Sequence, residues 1–380
     1  MNARPGAPKT ILFVANVDWF FLSHRLPIAV EAVRQGYVVH VAAAITNGLE
    51  TLRACGIVVH PLQIERSSMG VLAQLKLFWQ LVRLFKAVRP DLVHLITVKP
   101  VLIGGLAARV TGVPAVLAAV SGLGFLFVSR GAAASLRRLL IGALYRLALG
   151  KRNLKALFQN ISDRDLVARL AGLGPSRCAV IRGSGVDLRQ FAPQAWPMGV
   201  PVVLLAGRLL GDKGVREFVQ AARLLKRAGA EARFCLVGAP DPANPASIGV
   251  GELAGWRAEG VVEWWGHHSD MVGVLAQASI VVLPSYREGL PKVLIEAAAS
   301  GRPVVTTDVP GCRDAIEPGV TGLLVPLHSV QALADAMQSL LDDPVRCQHM
   351  GSAGRRLAEA EFDVAMVVAR HFAIYRELLL

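Results

Sequence analysis

Short β-rich runs alternate with helix-length amphipathic runs from one end of this chain to the other, and that rhythm limits the fold more than any other feature. The first cycle is TILFVA at residues 10–15, a helical pattern to Gln35, a stop at Gly36 and a second strand at 37–44. Further strands are expected at 91–96, 114–119, 156–159 and 178–182. The stretch FAPQAWPMGV at 191–200 breaks the rhythm with two prolines and a glycine, and it reads as a linker. The alternation then restarts, with strands at 202–206, 233–237, 261–265, 280–284, 303–306 and 322–325. Alternation of this kind places helices over both faces of a mostly parallel sheet.

The expected fold class is therefore α/β, with two consecutive doubly wound domains. The first spans 1–190, the linker 191–200 and the second domain 201–360. A helix at 361–380, with no strand after it, packs back onto the first domain. At 380 residues the chain exceeds one ordinary core and fits two domains of roughly 150–200 residues each. Such sheets bind ligands at the carboxyl ends of their strands, which places the expected site in a cleft between the domains.

Charge divides along the same line. Residues 1–190 hold 24 Lys and Arg against 8 Asp and Glu, or +16, whereas the remainder holds 17 against 20, or −3. A basic half needs an anionic partner. Its cations are interleaved with Leu, Ile and Val and carry no nucleic-acid-binding motif, so an anionic membrane surface fits and nucleic acid does not. Two segments set cations beside apolar faces, VLAQLKLFWQLVRLFKAVR at 71–89 and SLRRLLIGALYRLALGKR at 135–152. The first reads as a helix packed on its sheet. The second, with Arg137, Arg138, Arg146, Lys151 and Arg152, is balanced between sheet packing and a membrane contact. The five cysteines include no CxxC pair, which argues against a zinc site or disulfide framework and fits a reducing compartment. No membrane-spanning segment is expected, and Asn16 and Asp18 interrupt the apolar stretch from Ile11 that resembles a secretory signal. The expected place is the cytoplasm, peripheral on the inner face of the cell membrane.

The densest chemistry lies in LPSYREGLPKVLIEAAASG at 283–301. Glu288 follows a strand, Pro291 suits the first position of a helix, and Gly301 suits its end. Glu296 is the only acid in an apolar helix, so it needs a partner, and the hydroxyls of a ribose would serve. Backbone N–H groups at Gly289 and Leu290 suit an anion. The alternative is a buried glutamate paired with some arginine, plus a surface glutamate in a turn. A second constellation, GRLLGDKG at 207–214, sets Arg208 and Lys213 around a turn that opens a helix, a pattern suited to a diphosphate. Asp163-Arg164-Asp165 matches the metal-binding DxD pattern but follows Ser162 at a helix start, where acids are favoured anyway. His267 and His268 are adjacent without further ligands, and Gly122-Leu123-Gly124 lacks the third glycine of a dinucleotide fingerprint.

Together these stretches resemble the family 4 glycosyltransferases of GT-B architecture. The resemblance rests on Glu288 and Glu296 in E-x7-E spacing, on Arg208 and Lys213 in G-R-x4-K-G, and on VEWWGH ending at Gly266 and His267. DVPGCRDAIEPGVTGLLVP at 308–326 and IRGSGVDLRQFAP at 181–193 also match. It implies a retaining transfer of a hexose or N-acetylhexosamine from a nucleotide sugar, with UDP the expected nucleotide, and no bound metal or other cofactor. Arg208 and Lys213 would neutralise the donor diphosphate, Glu288 and the backbone after Gly289 would hold the sugar, Glu296 the ribose, and Gly266 and His267 the base. The segments FFLSHRLPIA, HLITVKPVLIGGLAARVTGVP and VSGLGF look like enzymes that extend a polyprenyl-diphosphate-linked glycan in bacterial polysaccharide or glycan biosynthesis. On the acceptor side, His24, Arg25, Lys99 and Ser121 are the candidates; NVDWFF and VSGLG stand where many members have a Gly-Gly loop and a histidine. Two other functions remain open on the same residues, a nucleotide-sugar epimerase or hydrolase and a non-enzymatic sugar-nucleotide or lipid-binding protein.

Overall fold

The computed structural model describes residues 8–64, 70–122 and 132–380, the side chains of 132–140 excepted. The chain divides into two compact units, Met1–Ser184 with Met366–Leu380, and Gly185–Ala365. Leu123 and Gly124 of the VSGLGF segment and the side chains of Arg137 and Arg138 lie outside the described residues.

The first unit carries seven strands: β1 (Thr10–Val17), β2 (Val38–Ala44), β3 (Val58–Pro61), β4 (Leu92–Ile96), β5 (Ala115–Val120), β6 (Leu154–Phe158) and β7 (Cys178–Val180). They form one sheet in the order β3-β2-β1-β4-β5-β6-β7 with every pair parallel. Side chains alternate across it. Leu12 and Val14 of β1 enter one buried cluster, while Ile11, Phe13 and Ala15 enter another on the opposite face. Both faces are covered, so the strands read as nearly continuous apolar runs. The strand β3 has no counterpart among the expected strands. It is four residues long, lies at the sheet edge and ends in Pro61, which an edge tolerates because proline has no N–H to offer a neighbour.

The second unit holds β8 (Val202–Ala206), β9 (Arg233–Val237), β10 (Glu263–Gly266), β11 (Ile280–Leu283), β12 (Val304–Thr307) and β13 (Gly322–Val325). Their order is β10-β9-β8-β11-β12-β13, again all parallel. Val203 and Leu205 face one apolar cluster, and Val202, Leu204 and Ala206 face the other. The 191–200 segment is anchored in this unit. Arg302, 1% exposed, donates to the Ala195 carbonyl at 3.1 Å and lies 5.1 Å over the Trp196 ring. Arg355 donates to the Phe191 carbonyl at 2.9 Å. The unit therefore begins at Gly185.

The last helix, Val364–Leu378, places Val367, Phe372, Ile374, Tyr375 and Leu378 in the cluster that contains Ile11 and Phe13 of β1. That burial assigns residues 366–380 to the first unit. The helix begins at Val364 because Ala358–Phe362 forms a π-helical turn, after which Val364 N–H donates to the Val186 carbonyl at 3.0 Å.

One buried carboxylate ties the carboxyl ends of β1 and β2 together. Asp18, fully buried at the start of the helix Asp18–His24, accepts hydrogen bonds from Thr46 N–H and Gly48 N–H, both at 2.8 Å, and from the Thr46 hydroxyl at 2.6 Å. Burial alone would raise its pKa, and these donors together outweigh it, so the carboxyl lies below its ordinary value. A group depressed in the folded state contributes stability above its unfolded pKa and loses it as pH falls through the folded one. Asp18→Asn should therefore cost about 2 kcal/mol near neutral pH. Denaturant titrations of the two proteins should converge in acid, below the folded pKa of Asp18; a gap unchanged there would contradict the assignment.

Candidate functional site

In the sheet of the second unit, the strand order reverses between β8 and β11, and a doubly wound sheet opens a crevice at the carboxyl ends of such a pair. The GRLLGDKG segment leaves β8 there, and the SYREGLP segment leaves β11. Gly211–Lys213 forms a tight turn, and Gly214 in the left-handed region opens the helix Val215–Arg227. A Cβ at Gly214 would stand 2.2 Å from the Pro284 carbonyl oxygen, so only glycine lets the two loops pack this closely. Gly311, after β12, approaches the Glu288 carbonyl in the same way, where a Cβ would meet the oxygen at 2.4 Å.

Close packing brings the expected charges together. Lys213 Nζ and Glu288 Oε1 form an ion pair, with both side chains about one-fifth exposed or less. The Ser285 hydroxyl, fully buried, donates to the same Glu288 oxygen at 2.6 Å. Asp212 lies beside this pair; burial pushes its carboxyl up, with Lys213 and Arg208 pulling the other way and Glu288 adding to the rise. One Asp212 oxygen is buried without a hydrogen-bond partner. Arg208 reaches Asp241, in the loop after β9, at 3.1 Å. In this protein the two cations of the expected diphosphate site are thus each held by a carboxylate.

The helix after Glu288 runs Lys292–Ala299. Pro291 is its cap, with extended backbone, instead of its first helical residue. Glu296 is 6% exposed and pairs with Lys292 one turn earlier, at 3.1 Å. Burial pushes the Glu296 carboxyl up and Lys292 offsets part of that rise. Gly289 and Leu290 are buried, Leu290 in the apolar cluster beneath the sheet end. Gly266, in the left-handed region, accepts from Gly238 N–H at 2.7 Å, and His267 beyond it is exposed. Ser285, Asp212, Asp241 and Lys292 belong to this constellation without having been singled out from the sequence. Only Lys292 carried a signal, its i, i+4 spacing to Glu296.

In the first unit the reversal falls between β1 and β4. Arg25, 1% exposed, donates to the His24 carbonyl at 2.9 Å, to Ser184 Oγ at 2.9 Å and to Ser121 Oγ at 3.2 Å, none of them a carboxylate. Burial lowers its pKa to about 10. Behind it, the His94 ring shares a 2.7 Å hydrogen bond with the Tyr375 hydroxyl, and burial pulls His371 down to about 3, so both rings are neutral. Arg25 therefore joins the loops of His24 and Ser121, while the His24 ring stacks on Phe20 with centroids 4.1 Å apart. Lys99 is half-buried just before a π-helical turn at Pro100–Gly104. Two residues earlier, Thr97 has φ 72° and a buried hydroxyl without a hydrogen-bond partner. A β-branched residue in that region is a strained one, and strain of this kind gathers at functional sites.

The DxD look-alike is a helix start. Asn160 caps Ile161–Ala171, accepting from Asp163 N–H at 2.7 Å, and Asp163 is buried. Among the described residues, no group of three or more His, Cys, Asp or Glu is placed to hold a metal ion, and no helix is long and apolar enough to cross a membrane.

Two doubly wound α/β units, the second with cation and carboxylate loops meeting at its switch point, define a glycosyltransferase of GT-B architecture. Comparison with known proteins carries this to the family. Residues 200–343 match the family model for glycosyl transferases group 1, and residues 10–158 match that for glycosyl transferase 4-like proteins. The chain is 30% identical to the N,N'-diacetylbacillosaminyl-diphospho-undecaprenol alpha-1,3-N-acetylgalactosaminyltransferase of Campylobacter jejuni, over 94% of this chain and 98% of that one. It is 24% identical to the UDP-Gal:alpha-D-GlcNAc-diphosphoundecaprenol alpha-1,3-galactosyltransferase of Escherichia coli, over 73% of each. The Anabaena protein Alr3699/HepE, solved in complex with UDP, superposes with a TM-score of 0.75 at 20% identity, covering 97% of this chain and all of that one. The chain belongs to this glycosyltransferase family, and it is a nucleotide-sugar-dependent enzyme that transfers sugar units.

The loops of the second-unit site are held from behind by Tyr286, whose hydroxyl donates to Glu217 Oε1 at 2.6 Å and whose ring meets His328 edge-on at 4.3 Å. The other Glu217 oxygen is buried without a partner. A hydrogen bond to a buried carboxylate of this kind should show a coupling of about 1–2 kcal/mol in a double-mutant cycle of Tyr286→Phe and Glu217→Gln. Additive losses in the melts would mean that the contact does not hold the loops.

Proposed function

We propose that this enzyme transfers a hexose or N-acetylhexosamine from a UDP-sugar to a polyprenyl-diphosphate-linked glycan, with retention of anomeric configuration, in bacterial polysaccharide or glycan assembly. The observation that carries the reading is the Lys213–Glu288 pair with Ser285 at the β8/β11 switch point, next to Arg208. A donor diphosphate entering there replaces carboxylates as the counter-ion of Arg208 and Lys213. Glu288, released from Lys213 but still held by Ser285, is then placed to accept from sugar hydroxyls. As the bond between the anomeric carbon and the diphosphate breaks, negative charge grows on the leaving oxygen, and two fixed cations stabilise that charge more than the ground state.

Glu296 takes the ribose hydroxyls, Gly289 and Leu290 offer backbone to the sugar, and Gly266 and His267 border the base. Residues 201–360 are the donor domain and 1–190 the acceptor domain in this reading. The lipid-linked acceptor is supported by two relatives whose names both specify a diphospho-undecaprenol acceptor. His24, Lys99 and Ser121 face the acceptor, and Arg25 positions Ser121 from beneath. The +16 charge of the first half suits a peripheral position on the anionic inner face of the cell membrane, reached from the cytoplasm.

Transfer of radiolabelled sugar from a panel of UDP-sugars to a polyprenyl-diphosphate glycan tests the reading. Lys213→Ala and Glu296→Ala should each lower turnover about a hundredfold or more, with the fold retained by circular dichroism. Full activity in both variants removes the site assignment. Free nucleotide or an altered sugar formed at the same rate without any acceptor would instead make the protein a hydrolase or epimerase.

A further inference from the structure

The helix Val71–Val88 packs on the first unit through Leu77, Leu81, Val82 and Phe85, all buried. Sheet packing requires that face and no other. Yet the opposite side is also apolar: Leu72 is 83% exposed, Leu75 50% and Trp79 56%, with Val71 at 73% beside them. At about 100° per residue, Leu72, Leu75, Lys76, Trp79, Arg83 and Lys86 fall within one arc of about 100°. The outward face thus carries apolar side chains at 72, 75 and 79 and cations at 76, 83 and 86, with Lys76, Arg83 and Lys86 all exposed. No acid occurs anywhere in the helix. An amphipathic helix ordinarily spends its apolar residues on the core, so a second apolar stripe directed to solvent is not explained by folding.

We infer that the outward face of Val71–Val88 is the surface by which this enzyme docks on an anionic lipid bilayer. Leu72, Leu75 and Trp79 enter the boundary between headgroups and acyl chains, with the Trp79 ring at the level where indoles settle. Lys76, Arg83 and Lys86 pair with lipid phosphates, their stems lying along the apolar surface. Charge complementarity selects a membrane over a second copy of this chain, because two copies of this face would set like charges against each other. The segment 135–152 is less suited. In its described part Ile141, Tyr145 and Leu149 are already buried in the core, and only Leu144 and Leu147 face outward. The inference rests on the lipid-linked acceptor proposed above only for the biological sense of the docking, since vesicle binding is measured without donor or acceptor.

Co-flotation of the full chain with phosphatidylcholine vesicles, and with phosphatidylcholine–phosphatidylglycerol vesicles, provides the test. The expected result is binding to the mixed vesicles alone, reduced at least about tenfold in the Leu72→Ser/Leu75→Ser/Trp79→Ser variant and weakened likewise in Lys76→Gln/Arg83→Gln/Lys86→Gln. These side chains are exposed, so thermal melts should match the wild type. Added salt should weaken binding of the wild type more than that of the charge variant. With a short, water-soluble acceptor analogue, both variants should keep wild-type turnover, while transfer to acceptor embedded in vesicles falls. Equal vesicle binding by wild type and both variants overturns the inference. So does a dimer in sedimentation velocity that the serine variant dissociates, with no vesicle binding by either protein.

Discussion

Where the strand order of the second unit reverses, two loops are drawn together around one ion pair, between Lys213 and Glu288. A half-buried lysine and glutamate stabilise a fold only modestly, because desolvating both charges offsets most of their attraction. Their cost is accepted here with unusual backbone intimacy: Gly214 lies against Pro284, and Gly311 against Glu288, at separations that exclude any side chain. In the proposed reading the pair matters for what it can exchange more than for what it adds. Each member has a ready substitute in a phosphorylated sugar, an anion for Lys213 and a hydroxyl for Glu288, so a ligand can enter without leaving a buried charge unmatched.

The first unit repeats this strand order, adds β7 at one edge, and buries a cation near its own switch point. Its buried cation, Arg25, donates only to neutral oxygens and is surrounded by two rings that burial keeps uncharged. An arginine remains charged even so, since burial takes it only to about 10. The guanidinium thus sets a positive charge against the Ser121 hydroxyl. Net charge divides along the sequence, with +16 in residues 1–190 and −3 in the remainder.

Much of this was legible in the residues themselves. The β8, β9 and β13 boundaries follow directly from apolar runs closed by Gly, Pro or charged residues, and Arg208, Lys213 and Glu288 stand out by spacing at strand ends. What was not legible depends on distance in sequence. Asp18 reads as an ordinary helix-start acid until Thr46 and Gly48 are seen to donate to it. Asp241 becomes relevant only once β9 is known to lie beside β8. Trp196 looked like part of a loose linker, whereas Arg302, more than a hundred residues later, holds it in place. The helix Val71–Val88 was legible as a helix packed on its sheet, but apolar residues lie on both of its faces, so periodicity alone does not say which face the sheet covers.

Glu296 shows how the two levels of reading combine. Its isolation among Val, Leu, Ile and Ala demands a partner, and the demand is met in part by Lys292 one turn earlier. A lysine tethered at i−4 can reach only one side of the carboxylate, so the second oxygen retains accepting capacity in a setting where water is scarce. Because burial favours the neutral acid, each hydroxyl that a ligand donates to Glu296 also favours the ionised form. If Glu296 takes the ribose as proposed, ligand binding and ionisation are linked at this residue, and Lys292 sets the starting point of that linkage.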